Sequence, residues 1–256
     1  LGPNGAGKTT TIRVMCGISR PTSGEVSVVG YDVRREPEEV KKRIGYMSQR
    51  FSLYNDLTPA ENLGFYASIY NVPSHQRADR IQGLLKMADL QEHKHTLTRN
   101  LSGAWRQRLA LACSIVHQPE MLFLDEPTAG VDPISRREFW DLIYQLASDD
   151  VSVLATTHYM DEADYCNTIG MMYEGRLIAL DSPQGIKDRF DGTLLEIDSD
   201  EPARIVGAGE AMPDEVKHSV VHGALAHITA RNGTDPETII SRLREKGLQI
   251  NAWDII

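Results

Sequence analysis

Nine consecutive residues, Gly2-Pro3-Asn4-Gly5-Ala6-Gly7-Lys8-Thr9-Thr10, constrain this chain more than any other stretch. A glycine, four residues, then Gly-Lys-Thr is the spacing at which backbone N–H groups and a helix N-terminus cradle phosphates while the lysine reaches the β and γ groups. Glycines are needed because side chains would hold the backbone away from phosphate oxygens, and the Thr9 hydroxyl is placed to ligate Mg²⁺. Such a loop works between a strand and a helix. The helix is expected from Gly7 to Ile18, closed by Pro21, and the strand is expected upstream of Leu1.

A second acidic signal supports the first. In Met121-Leu122-Phe123-Leu124-Asp125-Glu126-Pro127 an apolar run ends in two acids. Acids at strand ends are common, so alone this says little. Beside a phosphate loop, Asp125 is placed to hold Mg²⁺ through water, and Glu126 to orient or deprotonate an attacking water.

The intervening pattern alternates strand and helix. GEVSVVGYDV and RIGYMSQ read as strands. From Phe51 to Asn100 the pattern turns helical: Thr58, Pro59 and Glu61 form a capping box with proline at the first helical position, and Ser74 is expected to cap a second helix. A helix through Ser114, the strand 121–124, a helix started by Asp132-Pro133, the strand VSVLATTH, a short helix at MDEADYC and a hairpin turning at Glu174-Gly175 follow. The main domain is therefore expected over residues 1–190. Residues 191–256 read as a small α+β appendage, with a strand at TLLEIDS, a run around VVHGALAHITA and a helix from Asp235-Pro236 to Gly247.

Composition excludes several classes. With 256 residues, 41% hydrophobic and 25% charged, the chain is of ordinary globular type, and no run approaches the length needed to span a bilayer. Asp and Glu number 36 against 27 Lys and Arg, and the net charge of −9 argues against nucleic acid as a partner. Cys16, Cys113 and Cys166 lack C-x-x-C spacing, so they read as buried reduced thiols, which favours the cytoplasm. The histidines His218, His222 and His227 have no cysteine partners at metal spacing.

LSGAWRQR, residues 101–108, looks built to meet an anion although the phosphate loop has its own cradle. Ser102 and Gly103 precede an apolar-periodic helix, so one reading is a plain N-cap with Arg106 and Arg108 as surface charges. The other is an uncovered helix N-terminus awaiting an anion from another subunit.

GPNGAGKTT, Gln49, LSGAWRQRLALA, LFLDEP, AGVDP and TTH, in this order, resemble the nucleotide-binding domain of ATP-binding cassette (ABC) proteins over Leu1 to about Phe190. FSLYNDLTPAENLGFYASIY and THYMDEAD resemble the ATPase subunits of multidrug-type exporters. The resemblance implies a P-loop NTPase α/β core with a mainly parallel sheet, a helical insertion subdomain over about 51–115, and a C-terminal dimerisation or regulatory module. It implies ATP and Mg²⁺, with Asn4, Gly5, Ala6, Gly7, Lys8, Thr9 and Thr10 on the phosphates. Thr9, Gln49 and Asp125 would meet the metal, Glu126 would be the general base, and Gln49 and His158 would complete the catalytic set. Ser102, Gly103, Ala104 and Asp132 would serve a partner's nucleotide, in a head-to-tail dimer of two such domains, expected to be a homodimer. His158 and Asp132 also read simply as a strand-end histidine and a helix cap.

The implied function is ATP-driven export through membrane permease subunits, with the chain peripheral on the inner face of the cell membrane. The segment Gln49 to Asn62 would couple nucleotide state to a docking surface at Leu53 to Leu57. A soluble ABC ATPase acting as a switch on ribosome or DNA is the alternative. The compact insertion and acidic balance of this chain tell against it. Ala104 departs from the family, which usually has glycine there; alanine matters if positive φ or close phosphate approach is needed and little if the backbone is helical. Trp105 reads either as packing at the helix start or as an interface anchor. The family's adenine-stacking aromatic is expected upstream of Leu1, and Tyr31 and Tyr46 read as structural.

Overall fold

Helix α1 (Lys8–Met15) starts directly after the phosphate loop, with Gly7 as its N-cap at φ 100°. It stops short of the expected Ile18 because Gly17 takes φ 67° and the Ile18 N–H returns to the Arg13 carbonyl, a left-handed stop that glycine adopts without a Cβ penalty. This computed structural model describes residues 1–148 and 150–256. The two strands read from GEVSVVGYDV are a short antiparallel pair, β1 (Ser27–Val28) and β2 (Tyr31–Asp32), turning on Val29 and Gly30, both at positive φ. Helix α2 (Pro37–Arg43) has acids in its first turn and bases in its last, which complements the helix dipole. It feeds β3 (Ile44–Met47).

The helical region contains α3 (Pro59–Ile69), α4 (Ser74–Met87), a 3₁₀ turn (Thr98–Asn100) and α5 (Gly103–Ser114). The capping box forms: the Glu61 N–H donates to Thr58 Oγ1, and the Thr58 N–H donates to the Glu61 carboxylate. Ser74 does not cap α4. It is the first helical residue, and Pro73 stands at the cap with no side-chain acceptor. Leu63, Ala67, Leu84, Leu85, Leu109 and Leu111 form the buried apolar centre of this region.

Next come β4 (Met121–Asp125), α6 (Pro133–Ser148), β5 (Ser152–Thr156), a 3₁₀ helix (Met160–Tyr165), and the antiparallel pair β6 (Ile169–Tyr173) and β7 (Arg176–Asp181), turning at Glu174-Gly175. Strands β3, β4 and β5 form one parallel sheet in that order, with Met47 beside Leu124 and Asp125 beside Thr156. Phe123, Leu122 and Leu124 are fully buried, as expected of a strand covered on both faces. Helix α5 lies so close to β3 that a Cβ on Gly45 would sit 2.4 Å from the Ser114 carbonyl oxygen. All three strands end on the same edge, where ligands bind in open α/β sheets.

Packing divides the chain into Leu1–Pro183 and Gln184–Ile256, whereas the order of strands and helices in the sequence places the boundary near Phe190. Helix α7 (Pro183–Asp188) lies at that division. The second unit runs β8 (Thr193–Asp198), α8 (Pro202–Glu210), β9 (Val216–His222), β10 (Leu225–Ala230), α9 (Pro236–Glu245) and β11 (Ala252–Ile255). The sheet order β11-β8-β10-β9, with antiparallel neighbours, is the split βαβ arrangement. Its core is Leu195, Ile197, Ile205, Ala226, Ile228, Ile239 and Leu243. Asp235 caps α9 as the sequence suggests. Helix α8 is not evident from PARIVGAGE, because two glycines blunt its propensity and only the sheet beneath Ile205 and Gly209 makes it a helix.

Candidate nucleotide site

The phosphate loop is anchored before it begins. Leu1 and Gly2 lie between β5 and β6: the Gly2 N–H donates to the Thr157 carbonyl at 3.3 Å, the Leu1 nitrogen to Gly170 O at 2.7 Å, and the Met172 N–H to Leu1 O at 2.7 Å. A Cβ on Gly2 would stand 2.3 Å from the Met172 oxygen, so this glycine is required by packing against β6. Gly5 and Gly7 take φ 83° and 100°, the left-handed region that suits glycine. Asn4 and Gly5 are exposed, Ala6 is buried, Gly7 and Thr9 are half-buried, and Thr10 is exposed at the helix start. The Gly175 N–H ties Ala6 O at 3.0 Å, fixing the loop's far side.

Around this loop the strand ends deliver the polar groups. Lys8 is buried, and its Nζ donates to the carbonyls of Gly2 (2.6 Å) and Pro3 (3.1 Å) and lies 3.1 Å from Glu126 Oε1. Glu126 Oε2 accepts from Gln49 Nε2 at 3.3 Å. His158 Nδ1 is 3.2 Å from the same oxygen, without the alignment of a hydrogen bond. Glu126 takes φ 49°, and its N–H is held by the Thr156 hydroxyl and carbonyl, both at 3.1 Å. A non-glycine residue in this conformation persists only when its surroundings over-determine it, and here two acceptors on β5 do so. Asp125 Oδ1 accepts from Thr9 Oγ1 at 3.0 Å and Thr156 Oγ1 at 2.8 Å. Its buried charge reaches neighbours: burial first, and Asp125 second, push the Cys16 thiol up to about 12 and raise the Tyr46 hydroxyl.

The structure thus gathers Lys8, Thr9, Gln49, Asp125, Glu126 and His158 at one edge of the parallel sheet. Thr9, Asp125 and Gln49 offer hydroxyl, carboxylate and amide oxygens, a hard donor set that suits Mg²⁺ completed by water and phosphate oxygens. Thr156 belongs with this group; in the sequence it stands within the TTH stretch with no role of its own. Its partners, Asp125 and the Glu126 N–H, come from the end of the neighbouring strand, so local spacing does not show that it holds them.

Ser102, Gly103, Ala104 and Asp132 make no hydrogen bond or ion pair to this group among the described residues. Ser102 caps α5, its Oγ accepting the Trp105 N–H at 3.3 Å, and Gly103 has open space where a Cβ would be. Ala104 is inside the helix and not at positive φ, so the backbone does not require glycine there. Trp105 packs on the helical core, 4.8 Å from the His93 ring, with Arg108 against its face. Asp132 caps α6, accepting the N–H groups of Ile134 and Ser135; these bonds, the Ser135 one foremost, hold its carboxyl below the usual range. Two further links escape sequence reading. Gln107, buried on α5, donates to Pro127 O at 2.6 Å and so ties the helix behind Ser102 to the loop behind Glu126. The Tyr31 ring carries the Arg43 guanidinium at 4.3 Å, in line with a structural role.

A family description, ABC transporter, matches residues 1–129. The chain is 46% identical over 187 residues to the probable multidrug ABC transporter ATP-binding protein YbhF of Escherichia coli K12, covering 73% of this chain and 32% of that protein. It is 37% identical over 240 residues to the daunorubicin resistance ATP-binding protein DrrA2 of Streptomyces coeruleorubidus, covering 90% of this chain and 74% of that one. It therefore spans about a third of the length of YbhF and about three quarters of that of DrrA2. Among solved structures, cbiO1 of Clostridium perfringens, part of the transporter complex cbiONQ, is 28% identical with a TM-score of 0.67, over 74% of this chain and 78% of that one. The dimeric ATP-binding cassette MJ0796 bound to ADP and Pi is 25% identical with a TM-score of 0.64, over 71% and 82%.

Proposed function

This chain belongs to the ABC transporter family through its ATP-binding domain, and from that premise we propose that it hydrolyses ATP to energise export through membrane permease subunits, of the multidrug type. The observation that carries the reading is the convergence of Gln49, Glu126 and His158, from the ends of three adjacent parallel strands, on the loop that holds Lys8.

In this reading Asn4 to Thr10 wrap the phosphates, with Lys8 on the β and γ groups. Thr9, Gln49 and Asp125 would hold Mg²⁺, which would supply charge neutralisation to the phosphate oxygens. Glu126 accepts a proton from the water that attacks the γ-phosphorus as the bond to the β–γ bridging oxygen breaks, and His158 holds the transferring group in place. Ser102, Gly103, Ala104 and Asp132 face the nucleotide of a second copy stacked head to tail, so that two copies enclose two ATP molecules. Ser102 and Gly103 are exposed and the space over Gly103 is open, which supports this: the start of the helix is accessible to an anion.

The permease would dock on the segment Leu53 to Leu57. Buried Asn62 supports this segment: its Oδ1 accepts from Tyr54 N–H at 2.9 Å, and its Nδ2 donates to Tyr54 O, Thr58 O and Thr98 Oγ1. Tyr54 is displayed on the exposed Phe65 ring at 4.5 Å, an aromatic surface of the kind that anchors partners. No helix among the described residues is long and apolar enough to cross a membrane, which suits a subunit peripheral on the inner face of the cell membrane. The C-terminal unit would serve dimerisation or regulation, so deleting 191–256 leaves basal hydrolysis intact.

The test uses the full natural polypeptide with Glu126→Gln, sedimented with and without ATP and Mg²⁺. A dimer present only with ATP, and lost on Ser102→Arg, is expected. A monomer that binds ATP under all conditions would overturn the self-pairing, and a Glu126→Gln variant that still turns over would overturn the base assignment.

A further inference from the structure

We infer that Glu162 is a positioning residue that sets where His158 lies relative to Glu126, and with it the rate of ATP hydrolysis; the rate part rests on the ATPase reading above.

Glu162 is fully buried on the 3₁₀ helix four residues after His158. Its Oε1 accepts a hydrogen bond from the Thr128 hydroxyl and lies 3.7 Å from Arg136 Nε, an ion pair too long for a hydrogen bond. Its Oε2 is buried without a partner. Each of these contacts leads to a different part of the site. Thr128 is two residues beyond Glu126, in the loop that turns back through the Ala129 N–H to Glu126 O at 3.2 Å. Arg136 lies one turn into α6, its N–H bonded to Asp132 O at 2.9 Å. The Arg136 guanidinium also covers the Tyr159 ring at 4.0 Å, next to His158, and reaches Asp161 at 3.1 Å. One carboxylate therefore joins the loop of the proposed base, the helix capped by Asp132, and the segment carrying His158. The loop's other side is held by Gln107 on α5.

A buried carboxylate costs folding free energy and is weak evidence of stabilisation, since well-packed apolar groups generally do as well. What an ion pair of this kind does is select one arrangement of the elements it joins. His158 and Glu126 are 3.2 Å apart and not aligned for a hydrogen bond, so a small rotation of either segment changes their relation. Glu162 limits that rotation from both sides, through Thr128 and through Arg136.

Glu162→Gln keeps shape and the acceptor for Thr128 but removes the charge facing Arg136, while Thr128→Val removes the hydrogen bond and leaves the charge. In the full natural chain each is expected to lower kcat about tenfold or more, with KM for ATP within about twofold of wild type, because positioning acts on the transition state more than on ground-state binding. The two effects should not add. Melting temperature measured alongside shows that each variant is folded. A second readout needs no turnover: in histidine-labelled protein, the His158 ring resonances, assigned with His158→Gln, are expected to shift in both variants. Folded variants with wild-type kcat and unmoved His158 resonances would overturn the inference, as would a change in KM alone. A wild-type rate no higher than that of Lys8→Ala would refute the ATPase reading instead, and the His158 resonances would still decide the positioning role.

Discussion

Replacing Lys8 with methionine should destabilise the first unit even with no nucleotide present. Lys8 and Glu126 form an ion pair at 3.1 Å with side chains only 4% and 9% exposed. Removing one partner of such a pair leaves the other charge buried and uncompensated, which costs about 3–5 kcal/mol. Glu126 keeps the Gln49 amide at 3.3 Å and the His158 ring at 3.2 Å, and methionine fills most of the lysine stem's volume, so the lower end applies. At about 3 kcal/mol the unit should melt about 6–12 °C lower, given about 2–4 °C per kcal/mol for a domain of this size. The double variant Lys8→Met, Glu126→Gln removes both charges and should recover at least half of that loss, since neutral replacement of a whole buried pair is often close to neutral. Scanning calorimetry in nucleotide-free buffer reads both variants. A single variant within about 2 °C of wild type would refute the reasoning, because about 3 kcal/mol cannot shift a domain of this size so little. A double variant no better than the single would also refute it, by showing that the cost lies in packing or in the lost bonds to Gly2 and Pro3.

Gly45→Ala places a methyl 2.4 Å from the Ser114 carbonyl and 2.9 Å from Leu122, and since backbone cannot yield, a loss of about 2–3 kcal/mol is expected in urea unfolding. Ala104→Gly puts the family's usual residue into a helical position, so it should cost up to about 1 kcal/mol and leave ATP-driven pairing no tighter, as read by sedimentation. Stability should fall between pH 9 and 12. The Cys16 thiol is raised by burial from 9.0 to about 12 and the Tyr66 hydroxyl, again chiefly by burial, from 10.0 to about 12, so each stays protonated in the fold while the unfolded chain ionises. Their contribution is complete below pH 9 and is lost as the pH rises toward 12, and Cys16→Ala should flatten the earlier part of that fall.

Much of the candidate site was legible as spacing. The loop from Gly2 to Thr10 and the acids after Leu124 are contiguous stretches whose chemistry depends on short-range order, and the capping box at Thr58 and Glu61 spans a single helical turn. Where local pattern and structure differ, the difference is one of reach. The first helix stops at Met15 because Gly17 takes a left-handed backbone, and Ser74 enters its helix instead of capping it. The last strand and the helix of PARIVGAGE are held by a sheet whose strands lie far apart in the chain.

The amino-acid sequence by itself determined which chemical groups this protein has for phosphates and water, because glycines before a lysine, and acids after an apolar run, carry that meaning wherever they fold. The tertiary structure alone decided which groups meet. Thr9 reaches Asp125 across 116 residues, Thr156 holds both acids from the next strand, and Glu162 joins three segments that no spacing relates. Parallel strands place residues from distant parts of the chain side by side at one edge, and the register that aligns Asp125 with Thr156 exists only once the sheet has formed.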